Sequence, residues 1–247
     1  MARSIISGAV EGKILNVNEV VVADPDPFSR GFFDQLGIST VADAGQLPES
    51  EQMLLAVKPQ IFAEVAEHVT ADTVLSIMAG VSTDSIASKT AGNKIIRIMP
   101  NLPCSIGLGA VGMSLGATAS TEDAALATKL FSAIGKVVMV AEPLMDAVTA
   151  LSGSGPAYLF LLAESMIEGG VRAGLDFETA NALVRQTLLG AASLLCEDDR
   201  SASKLREAVT SKGGTTSAAL SLMQDRGVVD AIADGVVAAR DRSRELG

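Results

Sequence analysis

Residues 73–99 read TVLSIMAGVSTDSIASKTAGNKIIRIM, and this stretch decides the fold. Two apolar runs, 73–79 and 94–99, enclose a segment, 83–90, with the spacing of a helix. Both runs are nearly continuous instead of alternating, which is typical of strands that are covered on both faces of a parallel sheet. The stretch therefore predicts a strand–helix–strand unit.

The same alternation continues on both sides of this unit. Four further apolar runs indicate strands: 20–23, 52–57, 110–115 and 136–141. Segments with helical spacing lie between several of them, at 60–68 and 122–134. Alternating strands and helices predict an α/β fold with a mostly parallel, Rossmann-like sheet. We expect this domain to occupy residues 1–146.

The second half of the chain has no strand pattern. Five segments with helical spacing follow one another: 158–171, 180–195, 203–209, 216–223 and 228–244. Segment 158–171 is apolar on nearly all sides, which predicts a buried helix. Because few other helices are available to cover it, we expect a second subunit to do so. The sequence therefore predicts an all-helical dimerisation domain over 147–247, in a homodimer or a higher homo-oligomer.

Composition excludes several classes of function. The chain carries a net charge of −10 and shows no basic stripe, so we expect no nucleic-acid partner. No apolar run has the length of a membrane span and no signal peptide is evident, so we expect a cytoplasmic protein. His68 is the only histidine, and Cys104 and Cys196 are read as two free, buried thiols. We therefore expect neither a metal site nor a Ser-His-Asp triad.

A candidate anion site lies at residues 209–216, VTSKGGTT, ahead of a helical segment. Gly213 and Gly214 allow the backbone to approach a ligand closely. The helix that follows offers free N–H groups and a positive dipole, and Thr215 and Thr216 add hydroxyl groups. The local sequence by itself favours a helix cap that is preceded by a flexible loop.

Three predicted strand ends suggest a nucleotide crevice, because ligands of open α/β sheets bind outside the carboxyl ends of the strands. They are Ala56-Val57-Lys58-Pro59, Ala79-Gly80 and the turn M-P-N-L-P at 99–103. Each turn alone is weak evidence, since Pro and Gly occur at any strand–helix junction. Lys58 is also compatible with an ordinary solvated charge.

Four motifs together resemble the pyrroline-5-carboxylate reductase family, in the same order and spacing over essentially the whole chain. They are AVKP at 56–59, RIMPNLP at 97–103, LSGSGPAY at 151–158 and VTSKGGTT at 209–216. The resemblance implies a Rossmann-like domain and a helical domain that interlocks with its partner in a dimer. It also implies an NAD(P)H-dependent enzyme that reduces 1-pyrroline-5-carboxylate to L-proline, the last step of proline biosynthesis.

The resemblance assigns residues to the imino acid substrate. The amides of Gly213, Gly214 and Thr215 would hold its carboxylate, and the hydroxyl of Thr216 would hydrogen-bond its ring nitrogen as the catalytic contact. Lys212 stands where the family usually has proline.

The resemblance also assigns residues to the nicotinamide cofactor: Asp24, Ala56, Val57, Lys58, Pro59, Ala79, Gly80 and Asn101. Asp24 ends the strand whose last residue contacts the adenosine ribose, and an acidic residue at that position favours NAD. The neighbouring Ser29 and Arg30 favour NADP instead. We expect NADPH, with NADH possible.

The first residues depart from the family pattern. Residues 1–8 resemble the helix that follows its G-x-G-x-x motif, whereas the strand and glycine loop before that helix are absent. In the family this strand lies between those predicted at 20–23 and 52–57. A misassigned start site and a genuine truncation both explain the difference. We expect a start-site error, with an apolar strand and G-x-G encoded within about fifteen codons upstream of Met1.

Two other functions stay open on sequence alone. A related NAD(P)-dependent hydroxy-acid dehydrogenase would need a Lys or His base in the helical half, where Lys204 and Lys212 are the only lysines and no histidine is present. An inactive, truncated homologue would only dimerise through its helical half.

Overall fold

The computed structural model describes residues 1–91 and 94–246, and the chain forms two compact units. The first unit comprises Met1–Pro156 together with residues 237–246, and the second comprises Ala157–Val236. Within the described ranges, no helix is both long and apolar enough to cross a membrane.

The first unit is a mostly parallel α/β structure, as predicted. Its strands are β1 (Val21–Ala23), β2 (Ser39–Val41), β3 (Gln52–Leu55), β4 (Thr73–Ser76), β5 (Lys94–Met99), β6 (Gly109–Leu115) and β7 (Gly135–Met139). β1 and β2 form a parallel pair, and the other strands form a sheet of order β3–β4–β5–β6–β7. Within this sheet only β5 and β6 are antiparallel.

The helices of the first unit are α1 (Ala2–Glu11), α2 (Pro27–Gln35), α3 (Phe62–Val65), α4 (Thr83–Ala87), α5 (Ala125–Ser132) and α6 (Met145–Val148). Short 3₁₀ turns cover Val17–Glu19, Ala44–Gln46, Pro59–Ile61, Ala66–His68, Leu102–Ile106 and Glu142–Leu144. Segment 60–68, predicted as one helix, is therefore a series of short turns around α3.

Every predicted strand is present, and several end earlier than the apolar run that predicted them. β3 stops at Leu55 and β4 at Ser76, because the chain turns at Lys58-Pro59 and at Gly80. Three elements, β2, α2 and the short α6, are not predicted. β2 has only three residues and no buried position, so it lacks an apolar signal. α2 does carry a start signal, since Asp26 caps it and Pro27 begins it.

β1 and β3 each have a single strand partner. Among the described residues, β1 pairs only with β2, and β3 pairs only with β4. The helix expected at the start of the chain is present as α1, and its buried face contributes Ile5 and Ala9 to the core.

The core covers both faces of the central strands. Ile96 and Ile98 of β5 pack with α1 and α5, where Phe131 is fully buried. Ile95, on the opposite face of β5, packs with Ile86 of α4 and the residues around α3. Burial of a large apolar side chain stabilises a fold by about 1.5–3 kcal/mol. The continuous apolar runs in the sequence thus follow from a sheet that is covered on both sides.

Helices make up the second unit, with little burial inside the single chain. They are α7 (Gly155–Arg172), α8 (Phe177–Glu197), α9 (Ala202–Ala208), α10 (Thr215–Asp225) and α11 (Val228–Leu246), whose last part belongs to the first unit. No described residue of α7 is buried in the single chain, so the cover expected for this helix has to come from a second subunit. Cys196, predicted to be buried, is exposed on α8, whereas Cys104 is buried. Too few helices surround these side chains to cover them.

Arg97, in the middle of β5, is a buried charge with two carboxylate partners. Its side chain is 6% exposed, and its guanidinium lies 3.0 Å from Glu142 and 3.6 Å from Asp146. Glu142 also accepts hydrogen bonds from the Thr83 amide, at 3.1 Å, and from the Ser114 hydroxyl. Because a buried guanidinium is tolerated only when it is paired, this cluster holds α4, β5, β6 and the start of α6 together.

The same cluster reaches the end of the last helix. The hydroxyl of Ser243, the buried residue of α11, donates to Asp146 at 2.8 Å. The Arg244 guanidinium lies 4.0 Å from the other oxygen of Asp146. Residues 237–246 are therefore part of the first unit through specific polar contacts.

We expect Glu142→Gln to lower the free energy of unfolding by about 3 kcal/mol, because it leaves Arg97 buried with only the more distant Asp146. Urea denaturation at a fixed protein concentration measures the loss. The control is Glu245→Gln, which breaks an exposed ion pair with Arg242. This control should stay within about 0.5 kcal/mol of the unchanged protein. Equal losses in the two variants would contradict the role given to the buried cluster.

Candidate cofactor and substrate sites

Three predicted cofactor segments lie together at one edge of the five-stranded sheet. Residues 56–59 follow β3, Ala79 and Gly80 follow β4, and Asn101 follows β5. These strands are adjacent and parallel, so their carboxyl ends meet at the same edge. Gly80 has φ +75°, a left-handed conformation that favours glycine.

The residues at this edge differ in their exposure. Ala56, Lys58 and Ala79 are exposed, while Val57 and Pro59 are half-buried. Small or displaced side chains at strand ends allow a flat ligand to approach the main chain closely. Lys58 carries an exposed positive charge at this edge, whereas Gly80 is buried.

Asn101 is buried, and both ends of its amide are used inside the protein. Its Nδ2 donates to the Ser152 carbonyl at 3.1 Å, and its Oδ1 accepts from the Ala110 amide at 3.0 Å. It thereby fixes the turn after β5 to the start of β6 and to the segment before α7. The side chain of Asn101 thus fixes the conformation of the main chain at this edge of the sheet.

The thiol of Cys104 lies beside this amide. Its Sγ is 3.9 Å from Asn101 Oδ1, and burial raises the pKa of the thiol above its usual value. A thiol with a raised pKa stays protonated at neutral pH, which makes Cys104 a poor nucleophile.

Within residues 1–91 and 94–246, no group of three or more His, Cys, Asp or Glu side chains could hold a metal ion.

The junction between sheet and helices contains a feature that the sequence does not reveal. Residues Thr149–Gly153 form a π-helical turn ahead of α7. A Cβ atom at Gly153 would lie 2.7 Å from the Met99 methyl group, so glycine allows the junction to pack against the end of β5. From the sequence, Gly153 was predicted only as part of a motif, because no local pattern indicates that it lies next to Met99.

Asp24, the predicted ribose contact, follows β1 in the smaller sheet. Its carboxylate accepts hydrogen bonds from the Asp26 amide, at 2.9 Å, and from the Ser29 hydroxyl, at 2.6 Å. Arg30 donates to the main-chain carbonyls of Asp24, at 2.7 Å, and Pro25, at 3.0 Å. The acid that favours NAD and the two residues that favour NADP are therefore in direct contact.

The predicted substrate loop lies in the second unit, at the start of α10. Gly213 has φ +72°, which favours glycine, and the Gly214 amide donates to the Ser211 carbonyl at 3.1 Å. A Cβ atom at Gly214 would meet the Ser211 hydroxyl oxygen at 2.3 Å. Only Gly213 is required by its conformation, and the Gly214 amide, one of the predicted carboxylate contacts, is already engaged in the turn.

The N-terminus of α10 carries no side-chain cap. Its helix begins at Thr215, so the Thr215 and Thr216 amides have no hydrogen-bond partner among the described residues. Thr216 is half-buried and Lys212 is exposed. Free amides, a helix dipole and a nearby cation form a site for an anion such as a carboxylate.

Comparison with known proteins gives one family. Residues 142–246 match the model for pyrroline-5-carboxylate reductase dimerisation. The pyrroline-5-carboxylate reductase of Pisum sativum is 37% identical over 252 residues, which span 100% of this chain and 92% of the relative.

Solved structures are similar to the chain as well, and they come from the same family. A pyrroline-5-carboxylate reductase from Coxiella burnetii has a TM-score of 0.91 at 34% identity, covering 100% of this chain and 94% of that one. The Plasmodium falciparum pyrroline carboxylate reductase with NADP bound has a TM-score of 0.87 at 25% identity, covering 99% and 93%. The chain therefore belongs to the pyrroline-5-carboxylate reductase family.

Proposed function

We propose that this chain reduces 1-pyrroline-5-carboxylate to L-proline by hydride transfer from NAD(P)H, as the last step of proline biosynthesis. The observation that carries the proposal is the uncapped start of α10 behind Gly213 and Gly214. Such a site suits the carboxylate of a small imino acid. The relatives, which span nearly the whole chain at more than a third identity, are named for this reaction.

The substrate carboxylate binds at the loop before α10. The amides of Thr215 and Thr216 are the available donors there, together with that of Gly213, while the Gly214 amide keeps the turn closed. The helix dipole favours the negative charge. The exposed Lys212 adds a positive charge next to the same turn, where the family usually has proline.

The Thr216 hydroxyl is the catalytic contact in this proposal. It hydrogen-bonds the ring nitrogen of the imine and so orients the neighbouring carbon for reduction. An iminium nitrogen already carries its proton, so the reaction needs no strong general base, in agreement with a chain whose only histidine is His68. Catalysis therefore depends on positioning and electrostatics.

The cofactor belongs at the edge formed by residues 56–59, Ala79, Gly80 and Asn101. The small, exposed residues Ala56 and Ala79 and the left-handed turn at Gly80 fit a dinucleotide that lies against the strand ends. When bound, nicotinamide supplies the hydride. Asn101 contributes as a positioning residue through its bonds to Ser152 and Ala110.

We propose NADPH as the preferred form, with NADH also accepted. The guanidinium of Arg30 and the hydroxyl of Ser29 lie at Asp24, where a 2′-phosphate would need positive charge and donors. The carboxylate of Asp24 opposes this preference, since it would repel the phosphate. The relative from Plasmodium falciparum was solved with NADP bound.

A homo-oligomer completes the proposal. Leu159, Phe160 and Leu161 of α7 are more than half exposed in the single chain, an arrangement that needs another apolar surface as cover. We propose residues 147–247 as the dimerisation domain and 1–146 as the cofactor domain, although residues 147–156 and 237–246 belong to the first compact unit. Both cysteines are free, which supports a reducing compartment and hence the cytoplasm.

Replacing the catalytic hydroxyl tests the reaction. We expect Thr216→Ala to lower kcat/KM for 1-pyrroline-5-carboxylate about a hundredfold, because a hydrogen bond to the reacting ring is lost. Thr216→Ser keeps the hydroxyl and should stay within a few-fold of the unchanged enzyme. Oxidation of NADPH at 340 nm measures both, and circular dichroism checks the fold. Unchanged turnover in folded Thr216→Ala would rule out the assigned role.

Arg30→Ala tests the cofactor preference. We expect the ratio of kcat/KM for NADPH to that for NADH to fall by about tenfold or more, since a charge-assisted hydrogen bond is worth about 1.5–3 kcal/mol. Arg30→Lys, which keeps a positive charge, should lose less. If the unchanged enzyme prefers NADH, or if the ratio does not move in Arg30→Ala, Asp24 decides the preference instead.

The positioning role of Asn101 has its own test. Asn101→Ala leaves the Ser152 carbonyl and the Ala110 amide unpaired, and we expect a loss of about 2 kcal/mol in the free energy of unfolding. We also expect NADPH to bind about tenfold more weakly, as measured by calorimetry, with a smaller change in the KM for the imino acid. A destabilised variant that binds NADPH with unchanged affinity would show that the bonds are only structural.

A further inference from the structure

The starts of α1 and α2 lie side by side. The guanidinium carbon of Arg3, in the first turn of α1, is 5.7 Å from the ring centre of Phe28 and 5.0 Å from that of Phe32. A cation within about 6 Å of an aromatic ring centre is attracted to the face of the ring. Ala2 and Phe32 also pack against the same buried apolar cluster, so the two helices share a core. Two rings of α2 therefore hold the Arg3 cation.

Phe28 belongs to the turn that carries Asp24, the candidate ribose contact. The Phe28 amide donates to the Asp26 carboxylate at 3.0 Å, and the neighbouring Ser29 hydroxyl donates to the Asp24 carboxylate at 2.6 Å. α2 therefore begins at the carboxyl end of β1, and the contact with Arg3 places the start of α1 at the same end. Since both helix dipoles point their positive ends there, this region favours an anion.

The guanidinium of Arg3 is available to a ligand. In the part of the chain that the structure describes, it has no carboxylate partner, although the protein carries a net charge of −10. Arg30, the other cation of this turn, already donates from one terminal nitrogen to the carbonyls of Asp24 and Pro25. A guanidinium has five N–H donors, and those of Arg3 are not used by a described side chain.

Phe28 is placed to orient Arg3 and contributes little to the core. Its side chain is 80% exposed, whereas Phe33 of the same helix is buried. An exposed phenyl ring gains little from the hydrophobic effect, so its contact with Arg3 is the interaction that it makes at this site. A long side chain that its neighbours already hold loses less conformational freedom when it binds a ligand.

We infer that Arg3 binds the 2′-phosphate of the dinucleotide, and that Phe28 and Phe32 position its guanidinium for this contact. A guanidinium donates two parallel N–H groups to a phosphate, and its charge offsets the repulsion between that phosphate and the Asp24 carboxylate. Arg3 is then a specificity-determining residue for NADPH, on a different helix from Arg30. The inference rests on the cofactor site of the proposed function and is independent of the substrate loop before α10.

The binding of two nucleotides tests the role of Arg3 without the reaction. Adenosine 2′,5′-bisphosphate carries the 2′-phosphate and 5′-AMP lacks it, and calorimetry on the full chain gives both dissociation constants. We expect the unchanged protein to bind the bisphosphate at least about tenfold more tightly than 5′-AMP, and Arg3→Ala to reduce this advantage by about tenfold. The affinity for 5′-AMP should change by less than about twofold, because 5′-AMP has no 2′-phosphate.

Two further variants control for charge. Arg3→Lys should keep part of the advantage, because it retains the charge and loses the paired donors. Lys129→Ala removes an exposed positive charge of α5 and should leave the advantage unchanged. An unchanged advantage in folded Arg3→Ala would overturn the inference, and so would a protein that binds neither nucleotide.

Substitution of Phe28 tests the positioning of Arg3. Phe28→Leu removes the ring and should reduce the advantage of the bisphosphate by about threefold, since Phe32 still holds the guanidinium. Phe28→Tyr keeps an aromatic face and should retain the advantage. A loss of equal size for both nucleotides in Phe28→Leu would contradict the positioning role, because such a loss does not depend on the 2′-phosphate.

Reductase activity is measured on the same samples. A protein that reduces the imino acid, with the same preference for NADPH over NADH in Arg3→Ala as in the unchanged enzyme, would reject the role of Arg3 and leave the proposed function intact. A protein that binds the bisphosphate through Arg3 and does not reduce the imino acid would do the reverse.

Discussion

The buried guanidinium of Arg97 is the interaction on which the first unit depends. A charge in the middle of a covered strand must find partners, and those partners come from distant parts of the chain, Glu142 and Asp146. The requirement brings the segment after β7 back across β5 and β6. It also fixes β5 at the point where the chain continues into Asn101, the residue that shapes the cofactor edge.

From this anchored strand, the order of the sheet follows. β3, β4 and β5 run parallel, so the turns at 56–59, 79–80 and 99–103 meet at one edge. The turns themselves are ordinary combinations of proline and glycine. Their meaning comes from the strands that bring them together, which is why no single turn in the sequence could identify the crevice.

Much of the fold could be predicted because its physical cause is local. Continuous apolar runs such as those of β4 and β5 indicate strands that are covered on both faces, and both proved to be buried. β2 escaped prediction because three half-exposed residues carry no such pattern. The cover that was expected for α7 from a second subunit stays a prediction, because the described chain leaves this helix without buried residues.

The sequence indicated candidate site residues at strand ends and at a helix start, but it did not reveal their contacts. Two glycines before a helix indicated an anion site, but not that the Gly214 amide would be used by Ser211. Asn101 was recognised in its motif, whereas its bond to Ser152 joins residues far apart in sequence. Contacts of this kind depend on tertiary structure, and neither spacing nor composition contains them.

The bond between Ser243 and Asp146 has a consequence for how the protein matures. It joins residues separated by 97 positions, so the sheet unit that forms from the first part of the chain contains a contact supplied by the final helix. During synthesis this contact can close only after translation is nearly complete. The first part of the chain therefore leaves the ribosome before Asp146 has its Ser243 partner. A fusion or deletion near the C-terminus then removes a contact of the sheet unit, although the neighbouring residues in sequence belong to helices.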